Sequence, residues 1–137
     1  MTFEKFEFKP SQTEKYFLSA KRDLKIAIGS DIIDVQFKFS YDALLKLAIT
    51  VCAHEGLRVK SKAGHHIELV DKLAVILHEP DVSIIGNEMR KKRNFDLYSG
   101  GLVVSEKEAR EYCNWVKDVF SKAEDFLNQK KGVVKLL

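Results

Sequence analysis

The chain has 137 residues, 45% apolar and 31% charged, which is enough for one domain (1–137) with a real core and too apolar for wholesale disorder. Mean hydropathy of −0.20 indicates a soluble protein; with no long apolar run and no apolar stretch after Met1, neither a membrane span nor a signal peptide is expected, and the cytoplasm is the expected location. A formal net charge of +3 is too mild to indicate nucleic-acid binding by itself, because that signal depends on basic residues clustered on a face.

Only two prolines and seven glycines, with long stretches between them, favour helices over a turn-rich β fold. Residues Thr2 to Lys9 alternate loosely, with Phe3, Phe6 and Phe8 among charges, as an extended arm (1–10) or short edge element would. Ser11 and Glu14 have the spacing of a capping box, and Phe17, Ala20, Leu24 and Ala27 recur at helical spacing, so a first helix should run to about Ile28 and stop at Gly29. From Ser30 to Phe39 the alternation of Val35, Phe37 and Phe39 with Gln36 and Lys38 predicts an extended connector. Ser40 then opens a core helix through Tyr41, Leu44, Leu45, Ala48, Val51 and Cys52, with Gly56 placed to end it.

Leu57 to Gly64 reads as a solvated loop. A third helix should span about His65 to Leu77, ended by Pro80, and Asp81 can cap a fourth that stops near Gly100-Gly101. Ser105 and Glu108 form a capping box for a long fifth helix carrying Ala109, Tyr112, Cys113, Val116, Val119 or Phe120, Ala123, Phe126 and Leu127. The expected fold is all-α, an up-and-down bundle of about five helices. Cys52 and Cys113 fall inside predicted helices among apolar neighbours, as buried free thiols in a reducing compartment would.

The fourth helix holds the feature that calls for a reason. Wound from Val82, it puts Val82, Ile85, Met89 and Leu97 on one face with Arg93 in their midst. A guanidinium on an apolar stripe is costly unless it is paired or lines a cleft. Lys91 reads as solvated, whereas Arg90 and Arg93 lie on or beside the inward face, and Arg90, Asn94 and Tyr98 follow at one-turn intervals. Arginine, carboxamide and phenol together can bind a phosphodiester. The alternative is a core network in which Arg93 pairs with Asp96 and Tyr98 caps a neighbouring helix. Cys52, His54, His65 and His66 match no zinc spacing, so no metal is expected, and one imidazole should cap or pack at the start of the third helix. No phosphate-binding glycine loop, nucleophile elbow or paired-carboxylate arrangement is present, and no cofactor is expected.

The run Arg93-Asn94-Phe95-Asp96-Leu97-Tyr98, followed by a glycine turn, a capped Ser and a long Ala/aromatic helix, resembles the HEPN superfamily (higher eukaryotes and prokaryotes nucleotide-binding). Ala20-Lys21-Arg22-Asp23-Leu24, Tyr41-Asp42-Ala43 and Gly64-His65-His66 match that family in order, so the likeness covers nearly the whole chain. The resemblance implies a homodimer with a cleft at the fourth helix. It also implies either metal-independent RNA cleavage by an arginine and a histidine or a non-catalytic role beside a nucleotidyltransferase, as in toxin–antitoxin pairs. Arg93 and Asn94 fit that pattern, but Tyr98 stands where the histidine would, and a phenol is a poor base near neutral pH. By analogy Tyr98 is the residue a partner nucleotidyltransferase would adenylylate.

The leading expectation is therefore a non-catalytic or weakly catalytic partner of a nucleotidyltransferase, or an RNA- or nucleotide-binding module. Its binding residues are Arg90, Arg93, Asn94, Asp96 and Tyr98, and its catalytic candidates are Arg93, Asn94 and Tyr98. The alternatives are a metal-independent endoribonuclease using Arg93 at a dimer cleft, and a structural helical interaction module.

Overall fold

The computed structural model describes residues 2–60, 65–99 and 104–136, with side chains described for 2–60, 65–95 and 104–129. The elements are β1 (Phe3–Lys5), α1 (Pro10–Ile28), α2 (Ile33–His54), β2 (Leu57–Val59), α3 (His66–Leu77), α4 (Pro80–Ser99) and α5 (Glu106–Leu136). The five helices make the expected all-α, up-and-down bundle.

The central helix is α2. Phe37, Tyr41, Leu44, Leu47 and Val51 are among its fully buried side chains, and it packs against each of the other four helices. A helix apolar on nearly every side belongs in the middle of a bundle. Its start corrects the reading of 30–39 as an extended connector, because the helix already begins at Ile33. Of the three alternating residues only Phe37 is fully buried, and it continues at helical spacing into Tyr41, Leu44 and Ala48. Ser40 does not open the helix but lies inside α2, where its buried hydroxyl donates to the Gln36 carbonyl at 2.6 Å.

Smaller corrections concern the helix starts and the segment after α2. Pro10 takes the first position of α1, where its missing N–H costs nothing. The Lys9 N–H donates to Gln12 Oε1 at 3.1 Å, so the cap lies two residues before the predicted Ser11. Pro80 opens α4 in the same way, one residue ahead of Asp81. Leu57–Val59 is not a loop but β2, paired antiparallel with the arm in the register Phe3↔Val59, Glu4↔Arg58, Lys5↔Leu57. Leu57 and Val59 pack on the core while Arg58 turns outward to Glu4 at 2.7 Å, the period-2 alternation of a strand. Gly56, at φ 72, makes the turn that lets the chain leave α2 and pair with the arm.

The capping box expected before α5 forms as read. The Glu108 N–H donates to Ser105 Oγ and the Ser105 N–H to Glu108 Oε1, both at 3.1 Å. Cys52 and Cys113 are buried free thiols. Gly64 and Gly100-Gly101, with the side chains of Asp96, Leu97 and Tyr98, lie outside the described residues. Among the described residues no helix is long and apolar enough to cross a membrane.

What positions the site is the α3/α4 hairpin. His78 adopts the left-handed conformation at φ 56, the Glu79 N–H donates to the Ala74 carbonyl at 2.9 Å, and Pro80 starts the return. A Cβ built on Gly86 would lie 2.5 Å from Val70 Cγ1 and 3.3 Å from Leu44 Cδ2, so α4 approaches α3 and α2 as closely as only a glycine permits. Farther along, Ser83 Oγ donates to Asp71 Oδ1, and Asn87 Nδ2 donates to the same oxygen at 3.0 Å. These bonds lock the register of α4 against α3.

Candidate functional site

A tight antiparallel turn pairs residues equally far from it. His66 stands twelve positions before His78 and Arg90 twelve after, so the start of α3 faces the middle of α4. α2 closes the third side with Tyr41, whose Oη lies 3.1 Å from His66 Nδ1, and with its neighbour Asp42. Arg90 is oriented by a relay: its Nε donates to Asn87 Oδ1 at 3.4 Å, while the Asn87 amide is itself held by Asp71. Tyr41, Asp42, His66, Arg90 and Arg93, from three helices, therefore act on one another.

The titration shifts of Tyr41, Asp42 and His66 each combine partial burial with the charges of their neighbours, Arg93 among them in every case. Burial pushes the Tyr41 phenol well above its usual range, against the pull of Arg90 and Arg93, so it stays protonated. Burial also raises the Asp42 carboxyl, with the Arg93 guanidinium opposing. For His66, shielding lowers the pKa, Asp42 pulls it back up, and the two arginines lower it further. His66 is nonetheless an exposed residue. At neutral pH this histidine is an uncharged imidazole. If Nδ1–H donates to the Tyr41 oxygen, Nε2 carries a lone pair able to take a proton.

The basic run separates into three fates. Lys91 is solvated, as expected, while Lys92 is drawn to α5, where its Nζ meets Glu108 Oε2 at 3.1 Å and lies over the Tyr112 ring. Only Arg90 and Arg93, both half-buried, face the α2/α3 side. Val82 and Met89 are buried and Ile85 is half-buried, as the predicted stripe requires. Asn94 is exposed on α4, and the side chains of Asp96 and Tyr98 lie outside the described residues.

Sequence reasoning read Tyr41 as core and His66 as at most a capping or packing imidazole, and it placed none of Tyr41, Asp42, His66, Asn87 or Asp71 in the site. The signal that places them is the Pro80 break. Once 66–77 and 80–99 are taken as an antiparallel hairpin, equal distances from the turn pair His66 with Arg90. A neighbouring ion pair acts on the cluster: buried Asp23 of α1 meets Lys46 of α2 at 2.8 Å, and both act on Asp42. Among the described residues no group of three or more His, Cys, Asp or Glu is placed to hold a metal ion. Two cations, an imidazole and a protonated phenol can bind an oxyanion and exchange a proton beside it, with the Asp42 carboxyl competing for Arg93. No protein-family model, curated protein or solved structure matches the chain.

Proposed function

We propose that the Tyr41–Asp42–His66–Arg90–Arg93 cluster binds a phosphodiester of RNA and that the protein is a metal-independent endoribonuclease. The observation that carries this reading is the meeting of His66 of α3, 3.1 Å from the Tyr41 hydroxyl of α2, with the charges of Arg90 and Arg93 of α4. In this reading Arg90 and Arg93 hold the phosphate oxygens. His66 takes the 2′-hydroxyl proton, and the freed oxygen attacks phosphorus. The 5′-oxygen leaves with a proton from solvent, giving a 2′,3′-cyclic phosphate and a 5′-hydroxyl end. Histidine does here what Tyr98, where the resemblance looks for a histidine, is ill suited to do.

The test is incubation of the purified protein with single-stranded RNA in excess chelator, followed by analysis of the ends. Cleavage to cyclic-phosphate ends is expected, falling about 10²–10⁴-fold in His66→Gln, as for loss of a general base. Arg93→Ala should weaken RNA binding as well as cleavage. RNA that binds but stays intact would end the catalytic reading, and absence of binding would end both.

The second reading uses the same residues without cleavage, in a homodimer serving as a nucleotidyltransferase partner. Tyr98 at the position of the family's histidine favours it. Copurification of a nucleotidyltransferase, with a nucleotide-sized mass increase on Tyr98, would support it. Light scattering that shows only monomer would argue against the dimer cleft.

A further inference from the structure

A second feature adjoins the cluster through His66. A cavity of about 430 Å³ opens between the arm, the first turns of α1, the second half of α2, β2 and the start of α3. That volume falls within the range of small-ligand sites, roughly 300–1,000 Å³. One wall is aromatic: Phe6 and Phe8 meet edge to face with centroids 4.7 Å apart, and Phe8 meets Tyr16 in the same way at 5.9 Å. Buried Cys52 and Leu69 contribute apolar lining.

The polar side chains around this cavity are those of Gln12, Tyr16, Arg58, His65 and His66; Gln12 Oε1 accepts from the Lys9 N–H at 3.1 Å and His65 Nδ1 lies 3.5 Å from Glu68 Oε1. Arg58 lies 3.9 Å from the centroid of the Phe6 ring, and its charge is met by Glu4 at 2.7 Å. His66 lines the cavity and also belongs to the arginine cluster, with Nδ1 taken by Tyr41. The cavity is thus suited to a flat, uncharged ring with hydrogen-bonding edges, and the neighbouring cluster to an anion. Aromatic side chains bind such rings through their faces, whichever base is present.

We propose that this cavity is a nucleobase subsite, so that the ligand is a base joined through ribose to a phosphate, the base against Phe8 and Tyr16 and the phosphate at Arg90 and Arg93. The assignment rests on the phosphate-binding reading of the cluster and adds to it a recognition element that is built by the N-terminal arm. His66 is the joint between the two subsites, so a bound base fixes which phosphate stands beside its imidazole.

Calorimetric titration of the full chain with the four nucleoside 5′-monophosphates and with ribose 5-phosphate tests this. The monophosphates should bind more tightly than ribose 5-phosphate, and the advantage should shrink by roughly five- to a hundredfold in Phe8→Ala and Tyr16→Ala. Both variants should bind ribose 5-phosphate as the parent does. Tyr16 is 36% exposed, so its replacement leaves the core intact, and circular dichroism checks the fold of both variants.

Equal affinity for ribose 5-phosphate and every monophosphate would overturn the base subsite while leaving the phosphate site standing. Failure of all phosphates to bind would overturn the phosphate reading and with it this proposal as stated. A short RNA carrying one abasic nucleotide separates the sources: a loss there equal to the loss on Phe8→Ala identifies single-stranded RNA as the ligand. Monophosphate binding with no effect of the abasic nucleotide identifies the free nucleotide.

Discussion

Gly86→Ala is the sharpest test of how packing places the site. On an exposed helix surface this change stabilises by about 1 kcal/mol, because alanine is the better helix former. Here the new methyl would meet Val70 Cγ1 at 2.5 Å and Leu44 Cδ2 at 3.3 Å, and both residues are wholly buried. Val70 cannot swing aside, since a β-branched side chain in a helix has essentially one rotamer. Overpacking of this kind costs about 1–3 kcal/mol. The difference leaves a net destabilisation of roughly 0–2 kcal/mol, a fall in Tm of some 3–4 °C per kcal/mol for a chain of this size. Because Gly86 lies one turn before Arg90, α4 must also shift away from His66, so any phosphate affinity of the proposed site should fall with stability. Urea unfolding of Gly86→Ala, Val70→Ala and the double variant measures this, and the double variant should be more stable than the sum of its parts. Stabilisation near 1 kcal/mol in Gly86→Ala, with additivity in the double variant, would refute the close approach.

Lys46→Ala should destabilise by about 1–3 kcal/mol, since it leaves a buried carboxylate without its cation, whereas Arg110→Ala, in an exposed pair with Glu106, should cost at most about 0.5 kcal/mol; equal urea midpoints for the two would sink that distinction. Asp42 has its pKa raised above the ordinary 3.8, so its contribution to stability is present below that value and lost as pH rises through the folded value. At neutral pH Asp42→Asn should therefore unfold at the same or a higher urea concentration, and a clear loss would contradict the assigned burial. His66, lowered from 6.5, has the opposite sign: its contribution is present above 6.5 and lost as pH falls through the folded value, so His66→Gln should flatten that limb of the stability profile. Burial pushes the Cys52 thiol up to about 12, so a thiol reagent at pH 8 should leave it unmodified until denaturant is added, and rapid labelling of the native chain at Cys52, read by peptide mass, would speak against it.

Helices with strong caps and unbroken 3-4 spacing were legible. α5 shows this best, because the reciprocal bonds of Ser105 and Glu108 are local and depend on nothing distant. The start of α2 was not legible, since Val35, Phe37 and Phe39 satisfy a strand pattern over five residues and only the wider window through Leu44 reveals the helix. At the site, Arg90 and Arg93 stood out because charge on an apolar stripe is visible along one helix. His66, Tyr41 and Asp42 did not, because their relation to Arg90 exists only after α3 folds back on α4. Gly86 was overlooked for the same reason: its role is set by Val70 and Leu44, on two other helices.

The pairing of β1 with β2 joins residues 54 positions apart, as from Glu4 to Arg58. Closing that interval costs chain entropy before any strand bond compensates it, whereas α1 folds onto α2, and α3 onto α4, across turns of a few residues. The bundle and its arginines should therefore assemble first and the arm dock last. With Phe6 and Phe8 on the arm, the aromatic wall is a late and separable addition. A chain beginning at Pro10 would keep every helix and Tyr16 but lose β1, the Lys9 cap and the rings of Phe3, Phe6 and Phe8, so the lining of the cavity could change through nine residues while the cluster behind it stayed the same.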